Sequence, residues 1–296
     1  VIGFGSWAIG GRDWGHTQDE QSKAALHAAL DAGVNFIDTA DVYGFGHSEE
    51  LVGQVLAERG RSEDVVVATK AGNDFYAAAE GKGTVQPNYA KDYLISALEK
   101  SLRRLGLECV DVLQLHSPST AILERDEPWE ALARLKEQGK IRHGGLSVQS
   151  FRETEQTPIV EKWAEAGVLD VIQVRYNLLE RQAEERLFPA ALCHGLGVIV
   201  RSPLLFGLLT GKFTRETRFS EDDHRHMNLS PEKLERYFAQ LEALEPELDD
   251  ERRRTGATRA QQALAFCLRH PACHTVIPGA KNPAQVAENV GAAQFI

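Results

Sequence analysis

The stretch Val34-Asn35-Phe36-Ile37-Asp38-Thr39-Ala40-Asp41-Val42-Tyr43-Gly44 reads as a buried strand running into a loop. Its apolar run, broken only by Asn35, stops at Asp38, so Asp38 and Tyr43 are delivered to one strand edge. The same grammar recurs downstream. Val65-Val66-Val67-Ala68-Thr69-Lys70 and Val110-Asp111-Val112-Leu113-Gln114-Leu115-His116 are two more largely apolar runs, each ending on an ionisable side chain. Continuous rather than alternating apolar runs indicate parallel strands buried on both faces.

Working outward, residues 1–6 read as a strand entering a Gly-rich turn that carries Trp7. Thr17-x-x-Glu20 has the form of a capping box opening a helix that Gly33 closes, and Ser48 is placed to cap the next. Residues 71–87, rich in Gly, Ala and polar side chains, read as a mobile loop. Further strands are expected at 141–147, 171–176, 197–201 and 274–277, each separated from the last by a helical stretch. A highly charged extra helix from Pro231 to about Arg254 follows a polar segment at 214–230. Strand and helix thus alternate eight times, which fits an α/β (β/α)8 TIM barrel with an extra helix and long loops at its C-terminal face. One domain spanning 1–296 is expected. Val1 begins inside a strand-like run, so the natural N-terminus is expected to lie upstream.

A 43% hydrophobic and 26% charged composition is that of an ordinary globular protein, and a net charge of −10 disfavours nucleic-acid or anionic-membrane partners. No apolar run approaches the roughly 18 residues of a membrane helix, and no signal-peptide pattern opens the chain. A cytoplasmic protein is expected. Cys109, Cys193, Cys267 and Cys273 show no C-x-x-C spacing and read as buried thiols.

Reactive groups of such barrels lie at the C-terminal strand ends, where Asp38, Lys70 and His116 fall, with Tyr43 just beyond. A tyrosine hydroxyl has an ordinary pKa near 10, and a neighbouring ammonium favours its phenolate. Asp38 would hold and charge Lys70, and a neutral His116 would orient a substrate oxygen. That set can give or take a proton at a carbonyl or alcohol oxygen. No G-x-G-x-x-G follows a strand and no P-loop is present. The loops after strands seven and eight, 202–212 and 277–282, instead offer an anion site, since the second runs into a helix N-terminus beside Lys281. Asp41 reads as a solvated or capping residue, and His224-x-His226 as a surface pair with no third metal ligand.

Several separated motifs in one order carry a resemblance. Gly5-Ser6-Trp7, Gly33 through Gly44, the Lys70 strand end, Gln114-Leu115-His116, Gln173 through Glu180, Leu208-Leu209-Thr210-Gly211-Lys212 and Ile277-Pro278-Gly279-Ala280-Lys281 together resemble the aldo-keto reductases. The resemblance is to the bacterial and plant branch that includes potassium-channel β-subunit relatives. It implies NADP(H)-dependent reduction of aldehydes or ketones, reversible to alcohol oxidation, with NAD(H) as the alternative cofactor. It also implies Tyr43 as general acid, Lys70 and Asp38 as its tuning pair, and His116 as the carbonyl-orienting residue. Ser6, Trp7, Asp38, Ser147, Gln173 and Arg201 would lie about the nicotinamide end. Ser202, Leu204, Gly207 and Lys212 would follow the pyrophosphate, with Gly279, Lys281, Gln285, Glu288 and Asn289 around the adenosine phosphate. No metal is implied, and the partner is a small carbonyl or alcohol substrate.

Three positions depart from the family pattern. Val148 stands where Asn usually follows the serine, Arg201 where an aromatic usually stacks on the nicotinamide, and Gly279-Ala280 where Lys-Ser is common. A guanidinium plane can also stack on a ring, while adding charge. The loops 10–15, 71–86 and 204–230 should select the substrate, with Trp14, Phe45, Phe75 and Tyr76 offering an apolar pocket. A cofactor-binding regulatory subunit of low turnover is the alternative to an enzyme.

Overall fold

The computed structural model describes residues 1–12, 14, 17–60 and 64–296. Eight parallel strands form one sheet in chain order: β1 Phe4–Gly5, β2 Phe36–Asp38, β3 Val66–Ala71, β4 Val110–His116, β5 Ile141–Ser147, β6 Val171–Arg175, β7 Gly197–Arg201 and β8 Thr275–Val276. Parallel bridges Ile2–Val276 and Gly5–Gly279 join the last strand to the first and close a (β/α)8 barrel. The closure is tight: a Cβ on Gly5 would meet the Ile277 carbonyl oxygen at 2.6 Å. Only glycine lets the two backbones approach that closely.

Helices α1 Asp19–Asp31, α2 His47–Glu58, α3 Lys91–Leu105, α4 Glu127–Glu137, α5 Glu153–Glu165 and α6 Leu187–His194 alternate with the strands. After β7 comes the extra helix α7 Pro231–Thr255, then α8 Arg259–Arg269, and α9 Pro283–Gly291 follows β8. The barrel core, including Ile37, Val67, Leu113, Leu146, Ile172 and Val200, is almost wholly shielded from solvent. A second apolar cluster packs Leu234, Tyr237 and Leu241 of α7 against Leu205, Leu208 and Leu209, with Trp7 and Trp14 at its edge. It fixes the extra helix to the loop after β7, on the C-terminal side of the barrel.

Two expected caps are replaced. Gln18, not Thr17, precedes α1 and makes no side-chain cap. Ser48 lies inside α2 and donates to Ser6 Oγ at 2.7 Å, tying the loop after β1 to that after β2. Thr258 does form the reciprocal capping box with Gln261 that opens α8. The segment 71–87 contains a two-strand hairpin, Asn73–Asp74 with Gln86–Pro87, and a helical turn at Tyr76–Ala79. Cys193 is exposed rather than buried, since it follows Leu192 on the outer face of α6.

Strand register places the site. Gly5 pairs with Asp38, Lys70 with Gln114, His116 with Ser147, Ser147 with Gln173, and Arg175 with Arg201. In-register parallel strands therefore bring residues remote in sequence to one rim.

Candidate active site

Asp38 and Lys70 are 1% and 0% exposed, so their charges must find partners inside the protein. Lys70 Nζ donates to Asp38 Oδ1 at 2.5 Å, to the Thr39 carbonyl at 2.7 Å and to the Tyr43 hydroxyl at 3.3 Å. Asp38 Oδ2 accepts from Gln114 Nε2 at 3.0 Å and from Gln173 Nε2 at 2.7 Å. The carboxylate is thus held by side chains from three other strands. Gln114 was not among the residues the sequence singled out for the site; its signal is its position two residues before His116, on the same face of β4.

Burial alone would lower the Lys70 pKa, but Asp38 and then Tyr43 outweigh it and the ammonium is held above its ordinary value. Tyr43 moves upward, first through burial, against the opposing pull of Lys70. The expected lowering by the ammonium is therefore present but smaller than the desolvation of the phenolate. The hydroxyl therefore keeps its proton at neutral pH. His116 stands edge-on to Tyr43, ring centroids 5.8 Å apart. Burial, then Lys70 and Arg201, push it well below the ordinary histidine range, so it is neutral.

The loop that presents Tyr43 is shaped by close approach. Gly44 has φ 60°, and a Cβ there would lie 1.9 Å from the Gly10 carbonyl oxygen. Asp41 is not solvated: it is fully buried, neither carboxyl oxygen has a partner, and burial followed by Glu49 raises its pKa well above the usual range. Glu49 is itself held by Thr69 and Arg104.

Tyr43, Asp38 and His116 open on a cavity of about 620 Å³ across the barrel mouth. Ser6, Trp7, Ser147, Gln173, Arg201, Ser202, Leu204, Gly207, Lys212, Gly279, Lys281, Gln285, Glu288 and Asn289 all line it. Lys70 does not, because it stands behind Tyr43 and Asp38. Ser117, Ser150, Arg175, Phe206 and Arg225 line it as well; none of the five was among the expected site residues, because only the fold turns them toward the cavity. Ser117, Ser202 and Phe206 take left-handed backbone conformations (φ 56°, 54° and 57°), turning the chain sharply at the rim.

Two expectations about the cavity wall change. Trp14 lines it, but Phe45, Phe75 and Tyr76 stack on one another outside it, with centroids 5.4 and 4.5 Å apart, and anchor their loops. Asp13 and Gly15 of the 10–15 loop lie outside the described residues. His224 is not a surface residue: it packs against Trp7 and Trp14 at 4.4 and 4.2 Å, while His226 is exposed. Burial first, then Arg225 and Lys281 against Asp223, lower His224 to about 4.

At the other end of the cavity lie Lys212, Lys281 and Arg225. Arg225 pairs with Asp223, Nη2 to Oδ2 at 2.5 Å, while Lys281 Nζ donates to the Trp14 carbonyl at 2.5 Å. Burial first and Arg225 next lower both lysines, and no carboxylate of the described residues lies within ion-pair distance of either. Gln285 Oε1 accepts from the Lys281 backbone N–H at 2.8 Å, and Asn282 caps α9. Three cations with one carboxylate partner, at a helix N-terminus, fit a group bearing several phosphate charges. Among the described residues no cluster of three or more His, Cys, Asp or Glu side chains could hold a metal ion, and no helix is long and apolar enough to cross a membrane.

The chain is 34% identical over 286 residues to the aldo-keto reductase YhdN of Bacillus subtilis, covering 96% of this chain and 82% of that one. It is 31% identical to a probable voltage-gated potassium channel subunit beta of Arabidopsis thaliana, covering 100% and 88%. The crystal structure of an aldo/keto reductase from Klebsiella pneumoniae in complex with NADP and acetate superposes with a TM-score of 0.71 at 30% identity, covering 99% and 85%. The sequence model of the aldo/keto reductase family matches residues 1–295. This chain, with its closed barrel and its rim of reactive strand ends, belongs to the aldo/keto reductase family of oxidoreductases.

Proposed function

We propose that the protein is an NADP(H)-dependent oxidoreductase reducing small aldehydes or ketones to alcohols, reversibly, within one domain spanning 1–296. The observation that carries this reading is the Tyr43 hydroxyl, 3.3 Å from a lysine clamped at 2.5 Å to a buried aspartate, facing a cavity beside a neutral histidine. A bound nicotinamide would supply the hydride. Tyr43 gives its proton to the carbonyl oxygen as that oxygen gains charge, and the resulting phenolate is stabilised by the Lys70 ammonium. Asp38 fixes that ammonium in place. His116, being neutral, can donate a hydrogen bond to the substrate oxygen without competing for the proton. In the alcohol-oxidising direction the phenolate takes the hydroxyl proton back.

Ser147 and Gln173 would hold the nicotinamide carboxamide. Val148 is buried, its N–H donating to the Gln173 carbonyl at 2.8 Å, and cannot replace the usual asparagine. Ser117, 3.2 Å from Ser147, is the nearer substitute. Lys212, Lys281 and Arg225 would bind the phosphates, and the two lysines, with no carboxylate of the described residues within ion-pair distance, support NADP(H) over NAD(H). Purified protein is expected to oxidise NADPH with an aldehyde, and Tyr43→Phe to abolish turnover while retaining cofactor. The likeness to the plant channel subunit favours a second reading, a cofactor-binding regulatory subunit. Tight NADPH binding with negligible turnover across a broad panel of carbonyls would select that reading.

A further inference from the structure

Val112, Gln114 and His116 share one face of β4, since alternate residues of a strand point the same way. The interior of such a barrel is layered with branched apolar side chains, yet Gln114 is fully buried and carries an amide. Register explains what that amide reaches. Gln114 lies directly beside Lys70 on β3 and beside Gly145 on β5. A Cβ on Gly145 would meet Gln114 Cγ at 2.7 Å, so the glycine clears the space the side chain occupies. From one level of the barrel, Lys70 takes Asp38 Oδ1 at 2.5 Å and Gln114 takes Oδ2 at 3.0 Å. Gln114 Oε1 has no partner. A methionine or leucine would fill the same layer without burying an unsatisfied oxygen, so packing alone does not account for the amide.

The other donor to Oδ2, Gln173, lines the cavity and serves the nicotinamide carboxamide in the reading above. Gln114 stands behind the cavity wall and reaches only the aspartate. We propose that Gln114 is a positioning residue for the proton donor: it fixes the Asp38 carboxylate so that Oδ1 stays on Lys70, and Lys70 in turn stabilises the Tyr43 phenolate. This rests on the oxidoreductase reading above and adds to it a residue that touches neither substrate nor cofactor. The charged groups facing Tyr43 are Lys70, Asp38 and Arg201, with His116 neutral beside it. Burial comes first in raising the Tyr43 pKa and Asp38 adds to it, while Lys70 and Arg201 oppose them. A carboxylate relieved of a donor keeps more of its negative charge and is free to turn from the ammonium. Both changes make the phenolate harder to form.

Gln114→Met keeps the side-chain bulk and removes the donor. It should lower kcat for aldehyde reduction about tenfold, the scale of one hydrogen bond to a charged group, with KM and the NADPH Kd within about twofold of wild type. In alcohol oxidation the phenolate is the base. There the acid limb of kcat should move up by about half a pH unit or more, slowing oxidation below the limb by about threefold. Combined with Asp38→Asn, Gln114→Met should add little further loss, because residues acting through one contact are not additive. Should Gln114→Met fail to fold, Gln114→Glu reads the same contact. One proton shared with Asp38 restores a donor, so kcat should approach wild type at acid pH and fall as that proton is lost.

An acid limb that does not move, or losses that multiply with those of Asp38→Asn, overturns the proposal and leaves Gln114 a packing residue. So does a Gln114→Glu variant that gains nothing at acid pH. If the wild type turns over no carbonyl or alcohol at all, the oxidoreductase reading fails. The hold on Asp38 is then read by urea unfolding of Gln114→Met, Asp38→Asn and the double variant. Coupled stability losses would still uphold that hold, and additive losses would remove it too.

Discussion

The two ends of the cavity are built on opposite principles. At the reaction end, charge is compensated and immobile: Lys70 is clamped to Asp38, and Asp38 is held in turn by Gln114 and Gln173 from the barrel interior. At the end proposed to take the phosphates, charge is left open: Arg225 pairs with Asp223, while Lys212 and Lys281 have no carboxylate of the described residues within ion-pair distance, and all three lie outside the barrel strands. A proton donor needs fixed geometry and a defined protonation state, which a buried network provides. A phosphate site needs uncompensated positive charge that the ligand completes. The difference teaches that one cavity can hold charge in two ways, buried and paired where the proposed chemistry needs a fixed protonation state, and open and unpaired where the proposed ligand would complete it.

The comparison is broken most directly at Tyr43. Tyr43→Phe should cut kcat for aldehyde reduction by about 10²–10⁴-fold, with the NADPH Kd by fluorescence titration within about twofold of wild type. A loss of cofactor affinity instead would show that the two ends are not separable. Next comes the clamp. Lys70→Met leaves Asp38 buried without its cation and should cost about 3–5 kcal/mol in urea unfolding. Asp38→Asn combined with Lys70→Met should recover much of that stability but no turnover, separating the structural from the chemical share of the pair.

The phosphate end should respond in Kd rather than in rate. Lys212→Ala, Lys281→Ala and Arg225→Ala should each weaken NADPH binding about tenfold, the effect of losing one charge-assisted hydrogen bond. Raised salt should weaken wild-type binding in the same sense. Equal losses in kcat would mean the cations also position the reacting groups.

The smallest effect concerns His224, which packs between the two tryptophans that roof the cavity. Its pKa is lowered from 6.5 to about 4, so between those values the unfolded chain binds a proton that the folded one does not. That stabilisation is present above pH 6.5 and is lost as pH falls toward 4, with a slope of at most about 1.4 kcal/mol per pH unit. Tm measured from pH 7 to pH 4.5 should therefore fall more steeply in the wild type than in His224→Phe. Parallel profiles would show that the ring is solvated in the native state.

Much was legible along the chain. Apolar runs ending at Asp38, Lys70 and His116 specified parallel strands and their reactive ends, because burial on both faces leaves a recognisable pattern. The clustering of Gln173 and Ser147 with them follows once register is known. Side chains whose role comes from their neighbours were less legible. Asp41 looks like any loop aspartate until the fold buries it. Phe45, Phe75 and Tyr76 look like pocket aromatics until they stack on one another.

The sequence by itself determined the barrel, the order of its strands and the chemical identity of the groups at their ends, since these depend on local hydrophobic pattern and residue type. Only the tertiary structure decided which charges are spent and which are free. Arg175 and Arg201 are the same residue at the same height on neighbouring strands, and Glu180 neutralises one and not the other. That choice is set by the loop after β6 folding back onto its own strand, a three-dimensional fact that no spacing of residues encodes.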